Sequence, residues 1–456
     1  MNNFFTEKLN VKVDRGFLKK MLLIAVPIML QNLVSSSLNM VDTIMIGKLG
    51  EVEIAAVGIA NQYFFLFHMI ILGLSAGCSV FISQYWGMKD FKNIKRIIGL
   101  GLLSAIVASI VFMISGFINP ERIILIFNKD SQVMEIGGRY LSIVLFSYIF
   151  TAISLIYSFS LRSIGNTITP LIVNVIALLT NVFLNYVLIF GKFGVPALGV
   201  EGAALATLIA RVIEALVIVI FVYKGKGVLA AKFSELKDLS MAFVKRSYKI
   251  IIPVLLNDLL WASASLIYSV VYGRMGIEAT ASVQICNTVN NMFMVVTFGM
   301  ASAASIMIGK SIGEGKEEEA VDYGRKFMVV SFFVSLIIGL GLALMAPFIL
   351  TLFNVSEQVR RSSLIMLYTI SVIFVIRFMG LLIIVGILRG AGDARRALVI
   401  EGSTMWLIGV PLTILGAFVF KLPVHMVYGL AIIEEIVKFI LGFKRLRSGK
   451  WIKNIT

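Results

Sequence analysis

An ungapped internal repeat of apolar sequence constrains this chain more than any single motif in it. Residues 27 to 87 recur 226 positions later, so that Pro27 matches Pro253, Gly47 matches Gly273, Asn61 matches Asn287, Gly73 matches Gly299 and Gly87 matches Gly313. Beyond that stretch the displacement becomes 227, pairing Leu161-Arg162 with Leu388-Arg389, Gly165 with Gly392, Gly202 with Gly429 and Ala204 with Ala431. One bundle of hydrophobic segments is written twice. With 59% hydrophobic and only 14% charged residues, the chain is far from the ~25% charged fraction of a water-soluble globule. It belongs in a bilayer, and a duplicated membrane bundle is the mark of secondary transporters, whose substrate path runs between the copies.

A helix that crosses a ~30 Å hydrocarbon core needs ~20 apolar residues. Twelve stretches qualify: 17 to 46, 54 to 85, 94 to 117, 137 to 161, 168 to 190, 200 to 223, 247 to 272, 280 to 309, 326 to 349, 363 to 388, 398 to 420 and 424 to 443. The first is too long for the ~7 to 15 residue apolar region of a signal peptide and has no small-residue cleavage site, so it is expected to stay in the mature protein. Six spans per copy is an even number, so both copies enter the membrane in the same sense and are parallel repeats. The expected fold is an all-α integral membrane protein of twelve transmembrane helices, arranged as two parallel six-helix repeats around a central cavity. Residues 1–223 form the N-lobe, 224–246 a cytoplasmic linker, and 247–456 the C-lobe with a basic cytoplasmic tail.

The net charge of +16 is distributed as topology requires and does not form a nucleic-acid-binding face. Alternate loops collect most of the Lys and Arg: Lys8, Lys12, Arg15, Lys19 and Lys20, then Lys89 to Arg96, the linker from Lys224 to Lys249, Lys310 to Lys326, Arg389 to Arg396, and Lys444 to Lys453. The opposite side holds only Lys48, Arg122, Lys129, Arg139, Lys192, Arg274, Arg360, Arg361 and Lys421. By the positive-inside rule both termini are cytoplasmic. Cys78 and Cys286 fall within apolar spans and suggest neither a disulfide framework nor a metal site. His68 and His425, the only two histidines, cannot make a histidine-based metal cluster.

The chain carries Met40-Val41-Asp42-Thr43 followed by Gly47, Asn181-x-x-x-Asn185-Tyr186, Gly199-Val200-Glu201-Gly202-Ala203-Ala204-Leu205-Ala206-Thr207, and Leu-Arg-x-x-Gly turns at Arg162 and Arg389. In these stretches it resembles the multidrug and toxic compound extrusion (MATE) family. The resemblance covers essentially the whole chain. It implies a polyspecific exporter of the plasma membrane, driven by inward flow of H⁺ or Na⁺, with a cavity between a six-helix N-lobe and a six-helix C-lobe. The chain departs from the family in two places. A DinF-type branch has an aspartate where Asn185 stands, and a NorM-type branch has an acidic residue where Phe378 stands.

A carboxylate at membrane depth costs ~2.5 to 3.5 kcal/mol even on a lenient scale, so each one needs a reason. Asp42 lies about five residues before the outer end of the first span and Asn185 about five before that of the fifth. Asn181 is one turn deeper and Thr207 about seven residues into the sixth, so at ~1.5 Å per residue the four groups share a depth. One carboxylate, two amide carbonyls and a hydroxyl form a hard oxygen set that suits Na⁺, and without the ion the carboxylate can take a proton. Such a cluster can also do no more than lock helices together. However, the duplicate half places Tyr268 where Asp42 stands, and a general packing requirement would appear in both copies. In the C-lobe, Asp258 and Arg377 are at matching depth and are expected to pair, with a structural and an exchange role both open. Arg211 with Glu214, and Lys438 with Glu434 or Glu435, lie at helical spacing. Glu401 is read as interfacial, beside Arg395 and Arg396.

Pro27 and Pro253 sit in the inner halves of equivalent spans and bend them, either as fixed kinks or as hinges. Gly73-Leu-Ser-Ala-Gly77 matches G-x-S-x-G, but inside a transmembrane helix. Gly309-Lys310-Ser311 resembles the end of a phosphate-binding loop but has Ala304 in place of the required glycine. No enzyme activity, and no cofactor other than H⁺ or Na⁺ as coupling ion, is therefore expected. The 21 Met and 33 Phe can line a cavity for amphipathic, cationic drugs or toxic organic cations. The expected function is cation-coupled multidrug antiport by a functional monomer in the lipid bilayer, with no nucleic-acid partner. The alternative is a lipid-linked oligosaccharide flippase of the same superfamily.

Overall fold

The computed structural model describes residues 13–125, 128, 130–225, 227–353 and 355–456. Lys8, Lys12, Lys129 and Lys226, which enter the charge asymmetry above, lie outside the described residues. Every regular element among the described residues is a helix.

The elements in the first copy are α1 (Arg15–Gly47), α2 (Glu51–Met88), α3 (Phe91–Ile118), α4 (Pro120–Leu125), α5 (Ser131–Val144), α6 (Ser147–Ser163), α7 (Ile168–Phe190) and α8 (Gly199–Lys224). A short α9 (Phe233–Leu236) lies in the linker. The second copy has α10 (Met241–Arg274), α11 (Ile277–Gly313), α12 (Glu317–Thr351), α13 (Glu357–Leu381), α14 (Ala394–Thr404), α15 (Val410–Ile414) and α16 (Val424–Arg447). Wider π-type turns continue α13 over Leu382–Leu388 and occupy Met405–Gly409 and Leu415–Val419 around α15.

Among the described residues, ten helices are long and apolar enough to cross a membrane, and α5 with α6, bent by 50°, makes an eleventh span. At the break, the Ser147 hydroxyl donates to the Val144 carbonyl at 2.6 Å, satisfying a carbonyl freed by the end of α5. The twelfth span is α16, whose middle carries Glu434, Glu435 and Lys438, so its length is right but its polarity is not that of a lipid-facing helix. The twelve-helix architecture follows, with spans near their expected limits.

Helix ends follow local chemistry. Asp90 caps α3 by accepting from the Asn93 N–H at 3.1 Å, and Asp130 caps α5 by accepting from Gln132 and Val133. The two Leu-Arg-x-x-Gly turns close in the same way. Gly165 donates to the Arg162 carbonyl and Asn166 to that of Leu161, while Gly392 donates to Arg389 and Asp393 to Leu388, all at 2.9 Å. Gly165 and Gly392 have φ of 89° and 81°, a left-handed turn that glycine adopts without a Cβ clash. The duplication therefore extends to backbone hydrogen bonds.

The chain divides into two compact units. The N-unit is Leu30–Leu255, and the C-unit is the chain up to Met29 together with Leu256–Thr456. Each boundary falls two residues after a proline, Pro27 in α1 and Pro253 in α10, so the break obeys the repeat. The N-unit packs α2 against α3, α5 and α6, and α7 along α8. An aromatic cluster in its interior stacks Phe67 on Tyr148 at 4.4 Å. The core of the C-unit runs through α11, α12, α13 and α16 and takes in Phe17, Met21 and Ala25 from the start of α1.

Candidate functional site

In the N-unit, α1, α7 and α8 bring the four residues marked by the sequence into one hydrogen-bonded line. Asn181 and Asn185 are one turn apart and share a face of α7. The Asn185 Nδ2 donates to Asp42 Oδ1 at 2.5 Å and to Asn181 Oδ1 at 2.9 Å. Asn181 Nδ2 in turn reaches Thr207 Oγ1 at 3.5 Å, the limit of a hydrogen bond. Both asparagines are 1% exposed. Asn185 Oδ1 is buried and has no hydrogen-bond partner among the described residues, an unmet acceptor at the centre of the line.

Three further groups surround this line. The Tyr140 hydroxyl of α5 lies at Thr207. Arg211 pairs with Glu214 at 2.7 Å, as the helical spacing suggested, and acts on both Asp42 and His68 from within electrostatic range. Sequence reading missed Tyr140 and set His68 aside. Neither has a local motif, because α5 and α2 enter the site only through tertiary packing.

The C-unit corrects the expected charge pair. Asp258 is not joined to Arg377; its Oδ1 accepts from Arg389 Nη2 at 2.6 Å. Arg377 donates instead to Asn290 Oδ1 at 3.2 Å and lies 3.5 Å from Glu435. Counting depth along the spans pointed to Arg377 and put Arg389, twelve residues further on, in the cytoplasmic turn; the structure brings that turn's arginine to Asp258 instead. The turn after Leu388 projects Arg389 back toward α10, whereas Arg377 faces α11 and α16.

Glu401 does not pair with Arg395 or Arg396. It is buried, accepts from Asn257 Nδ2 at 2.5 Å and lies 3.7 Å from Lys438. Arg395 and Arg396 are six and five residues away, off its face of the helix. Lys438 chooses Glu435, at 3.2 Å, over Glu434. Glu434 accepts from the Tyr268 hydroxyl at 2.7 Å. Buried polar groups thus link α10, α11, α13, α14 and α16 inside the C-unit. Pro27 and Pro253 both lie within continuous helices.

Two like units, each with buried ionisable groups among membrane-spanning helices, define a secondary-transporter architecture. The family model MatE matches residues 27–187 and 253–415, two blocks separated by the displacement of the internal repeat. The chain belongs to the MatE family and is a transporter rather than an enzyme. Among its relatives is a probable multidrug resistance protein NorM of Thermotoga maritima, 24% identical over 443 residues that cover 95% of this chain and 93% of that one. Another of the same description, from Agrobacterium fabrum, is 25% identical over 411 residues, covering 88% and 87%. The solved structure of a Vibrio cholerae MATE transporter superposes with a TM-score of 0.87 at 19% identity, covering 96% of this chain and 98% of that one. That last likeness is one of fold.

Proposed function

We propose that this chain is a cation-coupled multidrug exporter that drives amphipathic organic cations outward by alternating access, with H⁺ as the preferred coupling ion. The observation that carries the proposal is the Asp42, Asn185, Asn181, Thr207 line. As arranged, Asn185 donates both to Asp42 and to Asn181, and Asn181 donates on to Thr207, so Asp42 takes part only as an acceptor, the role of an ionised carboxylate. If Asp42 takes a proton, its new O–H needs an acceptor. Rotation of both amides supplies one: Asp42 then donates to Asn185 Oδ1, Asn181 Nδ2 donates to the same oxygen, and Thr207 donates to Asn181. The line reverses with no hydrogen bond lost, and the oxygen that is now unmet acquires partners. Protonation therefore keeps the number of hydrogen bonds, moves the unmet group of Asn185 from its oxygen to its nitrogen, and carries the change of state from α1 to α7 and α8.

The same rotation turns the Asn185 amide oxygen toward the carboxylate, and Na⁺ is the alternative occupant of Asp42, Asn181, Asn185 and Thr207. A single negative charge favours the proton, because strong Na⁺ sites gather more negative charge than one carboxylate supplies. The relatives' description as multidrug resistance proteins supports drug efflux, and the Met and Phe content suits flat cations. On this reading the protein works as a monomer in the plasma membrane with both termini cytoplasmic.

The test is efflux from proteoliposomes under ΔpH alone and ΔNa⁺ alone. Wild type should respond to an outside-acid step in Na⁺-free medium. Asp42→Asn, which keeps the hydrogen-bond geometry but cannot titrate, should lose coupled efflux while changing stability by only about 1 kcal/mol. Transport that appears only on adding external Na⁺ would reassign the coupling ion. Wild-type efflux by Asp42→Asn would remove Asp42 from the mechanism.

A further inference from the structure

Laid on the internal repeat, Asp42 corresponds to Tyr268 and Thr207 to Glu434. In the N-unit the carboxylate is on the first span and the hydroxyl on the sixth. In the C-unit the hydroxyl is on the first and the carboxylate on the sixth. The exchange is not a loss, because Tyr268 and Glu434 meet directly at 2.7 Å. Between them lies Gly409, on the span equivalent to α7, where any Cβ would collide with both the Glu434 carboxylate and the Tyr268 hydroxyl. The glycine stands where the N-unit has its asparagines and makes the room that brings the pair together.

Charge balance shows what this pair lacks. The groups facing Glu434 are Tyr268 and Tyr272 from α10, Arg377 from α13, and Glu435 and Lys438 from α16 itself, and Lys438 in turn faces Glu401 of α14. Arg377 and Lys438 are each within ion-pair distance of Glu435, and Lys438 also of Glu401. Three carboxylates thus share two cations. Glu434, 5% exposed, is the one with no ion pair among the described residues. A second observation points to the same deficit of donors: Asn257, 2% exposed, spends its Nδ2 on Glu401 and leaves its buried Oδ1 with no donor among the described residues. An uncompensated buried carboxylate is costly and is relieved by a bound proton or cation.

We infer that Glu434, with Tyr268, is a second proton-carrying site in the C-unit, a counterpart of the Asp42 site with acid and hydroxyl exchanged between helices. In the unprotonated form the Tyr268 O–H donates to the carboxylate. In the protonated form Glu434 carries the proton and the phenol remains its partner, so the network of Arg377, Lys438, Glu401 and Glu435 becomes charge-balanced. This rests on the reading of the chain as proton-coupled, but its test needs no substrate to move.

The purified protein, without drug or Na⁺, is titrated potentiometrically while the carbonyl stretch of protonated carboxylic acids is followed by infrared difference spectroscopy. Wild type should show two buried carboxyl bands. Asp42→Asn should lose one and Glu434→Gln the other, each variant binding about one proton fewer. The amide introduced by Glu434→Gln still accepts from Tyr268, so the fold should hold. In Tyr268→Phe the carboxylate loses its donor and the second band should persist to higher pH. Unchanged proton uptake and an unchanged spectrum in Glu434→Gln, or a band indifferent to Tyr268→Phe, would overturn the inference. Loss of the Asp42 band alone would leave the N-unit reading in place, and failure of ΔpH-driven efflux with both bands present would refute coupling but not this site.

Discussion

Asp258 shows how far a single residue can be read. Its depth in the membrane was counted from the span limits, and the need for a cationic partner followed from electrostatics, but the count pointed to Arg377 and left Arg389 in the cytoplasmic turn. The structure selects Arg389, whose Nη2 is 2.6 Å from Asp258 Oδ1 with both side chains largely buried. Removing one partner strands a charge, which costs roughly 3 to 5 kcal/mol, whereas removing both does not. Asp258→Ala and Arg389→Ala should each lower stability by about that amount, and the double variant by clearly less than the sum. The control is Asp258→Ala with Arg377→Ala, which should add to within about 0.5 kcal/mol. Chemical denaturation in detergent checks both cycles, and a coupled Asp258/Arg377 cycle would restore the pairing expected from depth. The N-unit residues were more legible for a physical reason. Asn181 and Asn185 are locked at one face of one helix by their spacing, and only depth remained to be matched with Asp42 and Thr207. Tyr140 and Glu401 depend on which way α5 and α14 are turned, and one sequence carries no such information about packing.

At the scale of elements, the span limits were legible because apolar length is itself the physical requirement for crossing a bilayer. The departures are local. The fourth span breaks at Leu145 and Phe146 without Pro or Gly, and the π-type turns in the tenth and eleventh spans have no composition signal. The short linker helix α9 was also unmarked. It docks through Lys95 with Glu235 at 2.8 Å and Arg96 with Asp238 at 2.7 Å, and Gly99 on α3 admits the Leu236 backbone so closely that a Cβ would collide with it. Hydrogen bonds from Lys95 and Arg96 hold the Glu235 and Asp238 carboxyls below their usual range. A carboxyl depressed in the folded state stabilises it at all pH values above the ordinary carboxylate range of about 4, and that contribution is lost as pH falls through the depressed value. Amide protection across residues 232 to 240, taken relative to the intrinsic exchange rate at each pH, should therefore hold from neutral pH down to that range and fall below it. Gly99→Ala should accelerate exchange and tryptic cleavage at Lys232 and Lys237 already at neutral pH. Slow exchange in Gly99→Ala would mean that the close approach is not what holds α9.

The whole molecule is governed by its duplication, which is legible in the order of residues alone and reappears in the turn hydrogen bonds, the helix order and the points where the units divide. Both divisions fall just past the repeated proline, so α1 and α10 each begin in one unit and finish in the other. A proline in a helix interior is ~3 kcal/mol less favourable than alanine, and it leaves the carbonyl four residues earlier without its intrahelical donor. A helix that must serve two units gains from a weak point at the boundary. If Pro27 is a hinge that answers the charge on Asp42, the distance between spin labels near the two ends of α1 should change between acid and neutral pH in wild type. Pro27→Ala, which favours a continuous straight helix, should abolish that response and slow ΔpH-driven efflux without lowering the melting temperature, and Asp42→Asn should fix the distance at its acid value. Pro253→Ala, on a helix that carries Tyr268 where α1 carries its acid, should leave the α1 response intact. A distance that is the same at both pH values in wild type would make the two prolines fixed kinks and move the conformational step elsewhere.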